Sequence, residues 1–111
     1  MRRNCRRRCN KALVGVSLGA MLVAAHGAPR VHTVQIDRVR FVPQTIEVRP
    51  GDTVVWRNRD PFPHTATGAQ GGPDSPVIAA GASWSYKATR RGRYPYVCTL
   101  HRTMTGVLVV R

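Results

Sequence analysis

The chain has 111 residues, with 18 Lys and Arg against 5 Asp and Glu and a formal charge of +13. That length holds one modest domain and excludes a multidomain enzyme, a long coiled coil and a polytopic membrane protein, while 42% hydrophobic residues exclude a compositionally disordered chain. The charge first suggests nucleic acid, but residues 1–27 hold six of the basic residues and no acid, leaving 12 basic and 5 acidic residues, a net of +7, from residue 28 onward.

In chain order, the first element is an address. MRRNCRRRCNK is densely positive, and Ala12 to Ala25 is an uncharged, mostly apolar run of 14 residues. A basic stretch followed by a short apolar one is the pattern of a secretory signal peptide, and the run falls short of the ~20 residues that a spanning helix needs. Residues 1–27 are therefore predicted to be a signal-peptide helix, with Ala25 and Gly27 spaced for cleavage before Ala28; an uncleaved anchor is the alternative. Export to the periplasm follows, with no stable membrane insertion after cleavage, and nucleic acid is disfavoured as a partner. Cys5 and Cys9 fall inside this segment, so Cys98 is the one thiol of the exported domain, residues 28–111. A lone cysteine in an oxidising compartment forms no internal disulfide; it is either buried and inert or used by a ligand.

From His32 onward the pattern has period two. Val34 and Ile36, then Ile46 and Val48, alternate with polar neighbours. Pro50-Gly51-Asp52 is a turn signal, followed by Val54 and Trp56 on one face. Trp84 and Tyr86 alternate likewise; Tyr94, Tyr96 and Cys98 share a parity, and Gly106 to Val110 closes the chain as a last strand. Thr65 to Ala82 reads as mostly loop, with short strand pieces near Thr65–Thr67 and Val77–Ile78. His32 reads as an exposed strand-end residue. No sustained helical stripe is present, and short strands divided by Gly and Pro turns predict an all-β antiparallel sandwich or barrel. Tyr96 stands two residues before Cys98, as a tyrosine does in immunoglobulin strands, yet a single cysteine cannot form that domain's disulfide.

The residues that carry chemistry are Cys98, His101 and Met104 in CTLHRTM, together with His64 in PFPHT. Each alone has an ordinary reading as core or loop. Together, at one end of a β-fold, they offer one thiolate, two imidazoles and one thioether. Two imidazoles and a thiolate in a trigonal plane with a weak axial methionine make a blue-copper electron-transfer site. Zinc is the chemical rival; it takes Cys and His readily, but thioether is a poor ligand for it.

On Phe41–Thr65 (FVPQTIEVRPGDTVVWRNRDPFPHT) and Gly92–Val110 (GRYPYVCTLHRTMTGVLVV), the sequence resembles the cupredoxins, the small blue copper proteins, in their amicyanin and plastocyanin-like branch. The short Cys-x2-His-x2-Met loop is that of amicyanins. The resemblance implies a Greek-key β-sandwich, one copper cycling between Cu(I) and Cu(II), His64, Cys98 and His101 as equatorial ligands, and Met104 as the long axial one. It also implies that Asn58 ties the His64 loop to the cysteine loop by hydrogen bonds. Two features depart from the family. Arg102 stands where relatives often have Pro, and TATGAQGG after His64 replaces a longer apolar strand.

The function expected is that of a small soluble one-electron carrier, not an enzyme. Electrons would exit at His101, ringed by Pro61, Phe62, Pro63, Leu100 and Thr103. Partners are transient redox proteins, acidic ones being steered by Arg57, Arg59, Arg90, Arg91, Arg93 and Arg102; a monomer is expected. The alternative is a periplasmic copper-binding protein for storage, delivery or resistance, although the open Met- or His-rich clusters of such proteins are absent from the sequence.

Overall fold

The computed structural model describes residues 27–111 together with Gly15 and Gly19. The predicted signal segment otherwise lies outside the described residues. The period-two pattern is realised as eight strands: β1 (Val31–Ile36), β2 (Phe41–Val42), β3 (Thr45–Val48), β4 (Thr53–Asn58), β5 (Thr67–Gly68), β6 (Ser83–Lys87), β7 (Gly92–Cys98) and β8 (His101–Val110). They form two four-stranded sheets, ordered β2-β1-β4-β6 and β3-β8-β7-β5. The segment Thr65 to Ala82 is mostly loop, as its composition predicts, with β5 and the isolated bridge His64↔Ile78 as its strand pieces.

Both sheets are mixed rather than purely antiparallel. β1 pairs with β4 in parallel, from Val31↔Thr53 to Ile36↔Asn58, and β3 pairs with β8 in parallel, from Thr45↔Val107 to Val48↔Val110. The cause is the route of the chain. After the β1–β2 pairing it crosses to the other sheet for β3 and returns as β4, so β4 runs in the direction of β1 beside it. One consequence matters for the site: the ends of β1, β4 and β7 and the start of β8 all meet at the same pole.

The alternation buries one face of each sheet. Val34, Ile36, Val54 and Trp56 face Ile46, Val48, Tyr96, Leu108 and Val110, all at most 9% exposed. Trp56 packs edge-on against Tyr96, with ring centroids 5.5 Å apart, and donates from Nε1 to Tyr96 Oη at 3.3 Å. Burial pushes the Tyr96 phenol up to about 12, against a smaller lowering by the Trp56 hydrogen bond. Tyr96 lies directly opposite Gly106 in the β7–β8 ladder. A Cβ at Gly106 would overlap the ring, with Tyr96 Oη only 2.5 Å away; only glycine allows this crossing.

His32 is not the exposed strand-end residue that its position suggests. It lies in β1 with its side chain 26% exposed and its Nε2 2.9 Å from Asp52 Oδ2. Asp52 also accepts from Arg30 N at 2.9 Å and Arg49 N at 3.0 Å, which fastens the start of β1 to the turn before β4.

Candidate metal centre

At the pole where β4 and β7 end, Cys98 closes β7 and is fully buried. Thr99 and Leu100 make a tight turn, and His101 opens β8. The sequence places Cys98, His101 and Met104 on one loop; His101 and Met104 instead belong to a strand with a fault in it. The ladder runs Tyr96↔Gly106 and Val97↔Thr105, a register that would set Cys98 opposite Met104, yet Cys98 pairs with His101. Arg102, Thr103 and Met104 are therefore extra residues on β8. In a regular strand, positions 101 and 104 face opposite sides; the bulge removes that constraint. Met104 is buried at 3% exposure and stands at the β8 end of the bulge.

His64 arrives from the other sheet, on the loop that leaves β4. It is held by a two-way bridge to Ile78, His64 N to Ile78 O at 3.1 Å and Ile78 N to His64 O at 2.8 Å. Its Nδ1 lies 3.6 Å from Cys98 Sγ, and His101 Nδ1 lies 3.8 Å from the same sulfur. All three donor atoms fall within 4.8 Å of one another. Bonds of about 2.3 Å to sulfur and about 2.0 Å to imidazole nitrogen, set between tetrahedral and trigonal angles, separate S from N by about 3.5–3.8 Å. The observed spacing therefore fits one first-row metal ion bound by His64, Cys98 and His101.

The hydrogen bonds around these donors leave the metal-facing atoms available. His64 Nε2 is 2.7 Å from Asp60 Oδ2; as the donor to a carboxylate it carries the proton, which leaves Nδ1 unprotonated toward Cys98. Thr65 N donates to Cys98 Sγ at 3.3 Å, which ties the sulfur to the His64 loop. Thr65 Oγ1 accepts from Thr99 N at 2.9 Å, so Thr65 joins the His64 loop to the cysteine turn. Asn58 serves the His64 loop from the other side. It is buried, donates from Nδ2 to Phe62 O at 2.9 Å and to Ile78 O at 3.0 Å, and accepts from Asp60 N at 2.9 Å. The tie to the cysteine turn expected of Asn58 is thus made by Thr65, while Asn58 shapes the loop that presents His64.

Asp60 is the residue that sequence reasoning missed, although a carboxylate four positions before His64 is a usable signal for a histidine orienter. It is buried, and its remaining valence goes to Arg38 N at 2.7 Å and Val39 N at 2.9 Å. Arg38 and Val39 have φ of 53° and 58°, left-handed conformations costing about 1–2 kcal/mol each for non-glycine residues. Two successive N–H groups in this conformation make a concavity for an anion, and the Asp60 carboxylate fills it. Burial alone would raise the Asp60 carboxyl, but hydrogen bonds from Val39, His64 and Arg38 outweigh it and hold the group below the usual carboxylate range.

His101 is the one donor of the three that is not fully buried. Phe62, 37% exposed, lies over both imidazoles, with centroids 5.3 Å from His64 and 5.7 Å from His101. Leu100 is 50% exposed beside them, and Pro61, Pro63 and Thr103 are exposed as well.

A family model described as a cupredoxin-like domain matches residues 12–110. Amicyanin-alpha of Methylorubrum extorquens is 30% identical over 105 residues, covering 89% of this chain and 87% of that protein. The chloroplastic plastocyanin of Chlamydomonas reinhardtii is 29% identical, covering 90% and 80%. A solved structure of an amicyanin variant in its reduced state superposes with a TM-score of 0.68 at 32% identity, covering 79% of this chain and 89% of that one. A mixed two-sheet sandwich with a His, Cys and His cluster at one pole, matched along nearly its whole length in sequence and in space, leaves one assignment: the chain belongs to the cupredoxin-like family.

Proposed function

We propose that this protein is an exported one-electron carrier in which His64, Cys98 and His101, with Met104, would hold a single copper ion. The observation that carries the reading is the convergence of two Nδ1 atoms on one buried Sγ, 3.6 and 3.8 Å away. Copper, when bound, supplies reversible cycling between Cu(I) and Cu(II). Soft sulfur suits the reduced ion, and imidazole suits both.

The chain's own residues supply the rest. Asp60 and the His64–Ile78 bridge fix the ring of His64, and Thr65 fixes the sulfur, so the donor set has little room to rearrange when charge changes. A site that does not rearrange suits electron transfer. Total burial of His64 and Cys98 also argues against a protein that hands the metal itself to another. His101 provides the exposed edge, and the apolar rim of Phe62, Leu100, Pro61 and Pro63 suits small, quickly dissociating redox contacts.

Loading the protein with Cu(II) is expected to give intense visible absorption from thiolate-to-copper charge transfer. Cys98→Ser abolishes the band, whereas Met104→Leu retains it and shifts the midpoint potential in voltammetry. A colourless Cu(II) complex, or colour that survives Cys98→Ser, refutes the reading. Copper lost rapidly to a chelator in both oxidation states, with slow electron self-exchange, would instead identify a delivery protein.

A further inference from the structure

The basic residues expected to steer partners do not all surround the metal. Arg57 and Arg59 lie at the metal-end terminus of β4, and Arg102 follows His101. Arg90, Arg91 and Arg93 lie at the other pole, where β7 begins opposite Val110, six residues and about 20 Å of strand from Cys98. At that far pole, Arg30, Arg49, Arg91 and Arg111 line one cleft of about 760 Å³, and Lys87, Arg90 and Arg93 stand exposed at the same end.

Both acidic residues lining the cleft are already engaged. Asp52 is held by Arg30 N, Arg49 N and His32, and Glu47 accepts from Arg111 Nη2 at 2.6 Å. The arginines Arg30, Arg49 and Arg91 have no side-chain ion pair among the described residues and face solvent. The chain also enters the domain here. Gly27, Ala28 and Pro29 line the same cleft, so the preceding segment, which carries six cations and an apolar run, joins the domain at this pole for as long as it is uncleaved.

We propose that the pole opposite the metal is a docking platform for an anionic phospholipid bilayer, with headgroup phosphates taken up by the arginine cleft. Guanidinium forks match phosphate oxygens two at a time, and a concave arrangement lets several reach one headgroup layer. Docked in this way, the protein holds His101 and its apolar rim away from the membrane, facing soluble partners. The platform uses no atom of the metal centre and stands whichever metal fills it.

The test is cosedimentation of the exported protein, residues 28–111, with vesicles of phosphatidylcholine containing phosphatidylglycerol, against phosphatidylcholine alone. Binding is expected only to the anionic vesicles and is expected to fade as salt shortens the Debye length from ~10 Å at 0.1 M to ~3 Å at 1 M. Each surface cation near an anionic bilayer is worth roughly fivefold in partitioning, so Arg91→Glu with Arg93→Glu weakens binding by about 20-fold or more. Arg57→Glu with Arg59→Glu, an equal charge change at the metal end, leaves it within about twofold. Circular dichroism and the visible copper band, unchanged in both double variants, separate this result from misfolding and from failure of the electron-carrier reading. Equal binding to both vesicle types, or equal loss in the two double variants, overturns the proposal. Retention on duplex DNA without affinity for anionic vesicles overturns it in favour of another polyanion.

Discussion

Asp60→Asn tests whether the centre is built by the residues behind it. The carboxylate accepts from three donors, Arg38 N, Val39 N and His64 Nε2, at 2.7, 2.9 and 2.7 Å. An asparagine of the same shape keeps one accepting oxygen and turns an NH2 toward at least one of those donors. A buried donor left without a partner costs about 1–3 kcal/mol, and two left-handed residues then lose the anion that holds them. At roughly 4–8 °C per kcal/mol for a domain of this size, the metal-free protein should melt about 5–20 °C lower. The metal should be lost separately from the fold. Freed from Asp60, His64 can turn its ring or carry its proton on Nδ1, and losing such an orienting partner typically costs 10–100-fold in metal affinity. Chelator competition measures the affinity, and calorimetric melts with and without metal measure the stability. If Asp60→Asn binds copper as tightly as the unaltered protein, the orienting role is wrong. If it binds weakly but melts unchanged, the nest at Arg38 and Val39 is not held by this carboxylate.

Two further substitutions test the frame that carries the site. Gly106→Ala should destabilise by about 1–3 kcal/mol, as overpacking does, because the new methyl overlaps the Tyr96 ring; combining it with Tyr96→Leu should recover part of the loss, and a melt within 1 °C of wild type would refute the overlap. Asp52→Asn probes the far pole by pH. Hydrogen bonds from Arg30 and Arg49, then from His32, hold the folded carboxyl at about 2, below its ordinary 3.8, so its contribution is complete above the ordinary value and is lost as pH falls toward about 2. Urea midpoints of the unaltered protein should therefore fall over that window, while those of Asp52→Asn start lower at neutral pH and fall less; parallel curves would remove Asp52 from the clamp.

What the sequence disclosed and what it withheld divide along physical lines. Strands were legible because a buried face imposes period two on each of them separately; Val34 and Ile36, or Val54 and Trp56, announce themselves without reference to any partner. The parallel pairing of β1 with β4 and of β3 with β8 was not, because it follows from which sheet the chain crosses to, and no local residue encodes that choice. The donor residues were legible because thiol, imidazole and thioether are rare enough to be noticed together. Their presentation was not. It depends on three extra residues in β8 that a pattern reader takes for a loop, and on a nest at Arg38 and Val39 that lies some twenty positions before the Asp60 it holds. Neither nest residue is one that favours positive φ; a β-branched valine there runs against its local preference. Both irregularities sit at the one pole where His64, Cys98 and His101 meet. Local rules are broken where a site requires backbone that propensity would not choose, so these two irregularities point to the same place as the chemistry.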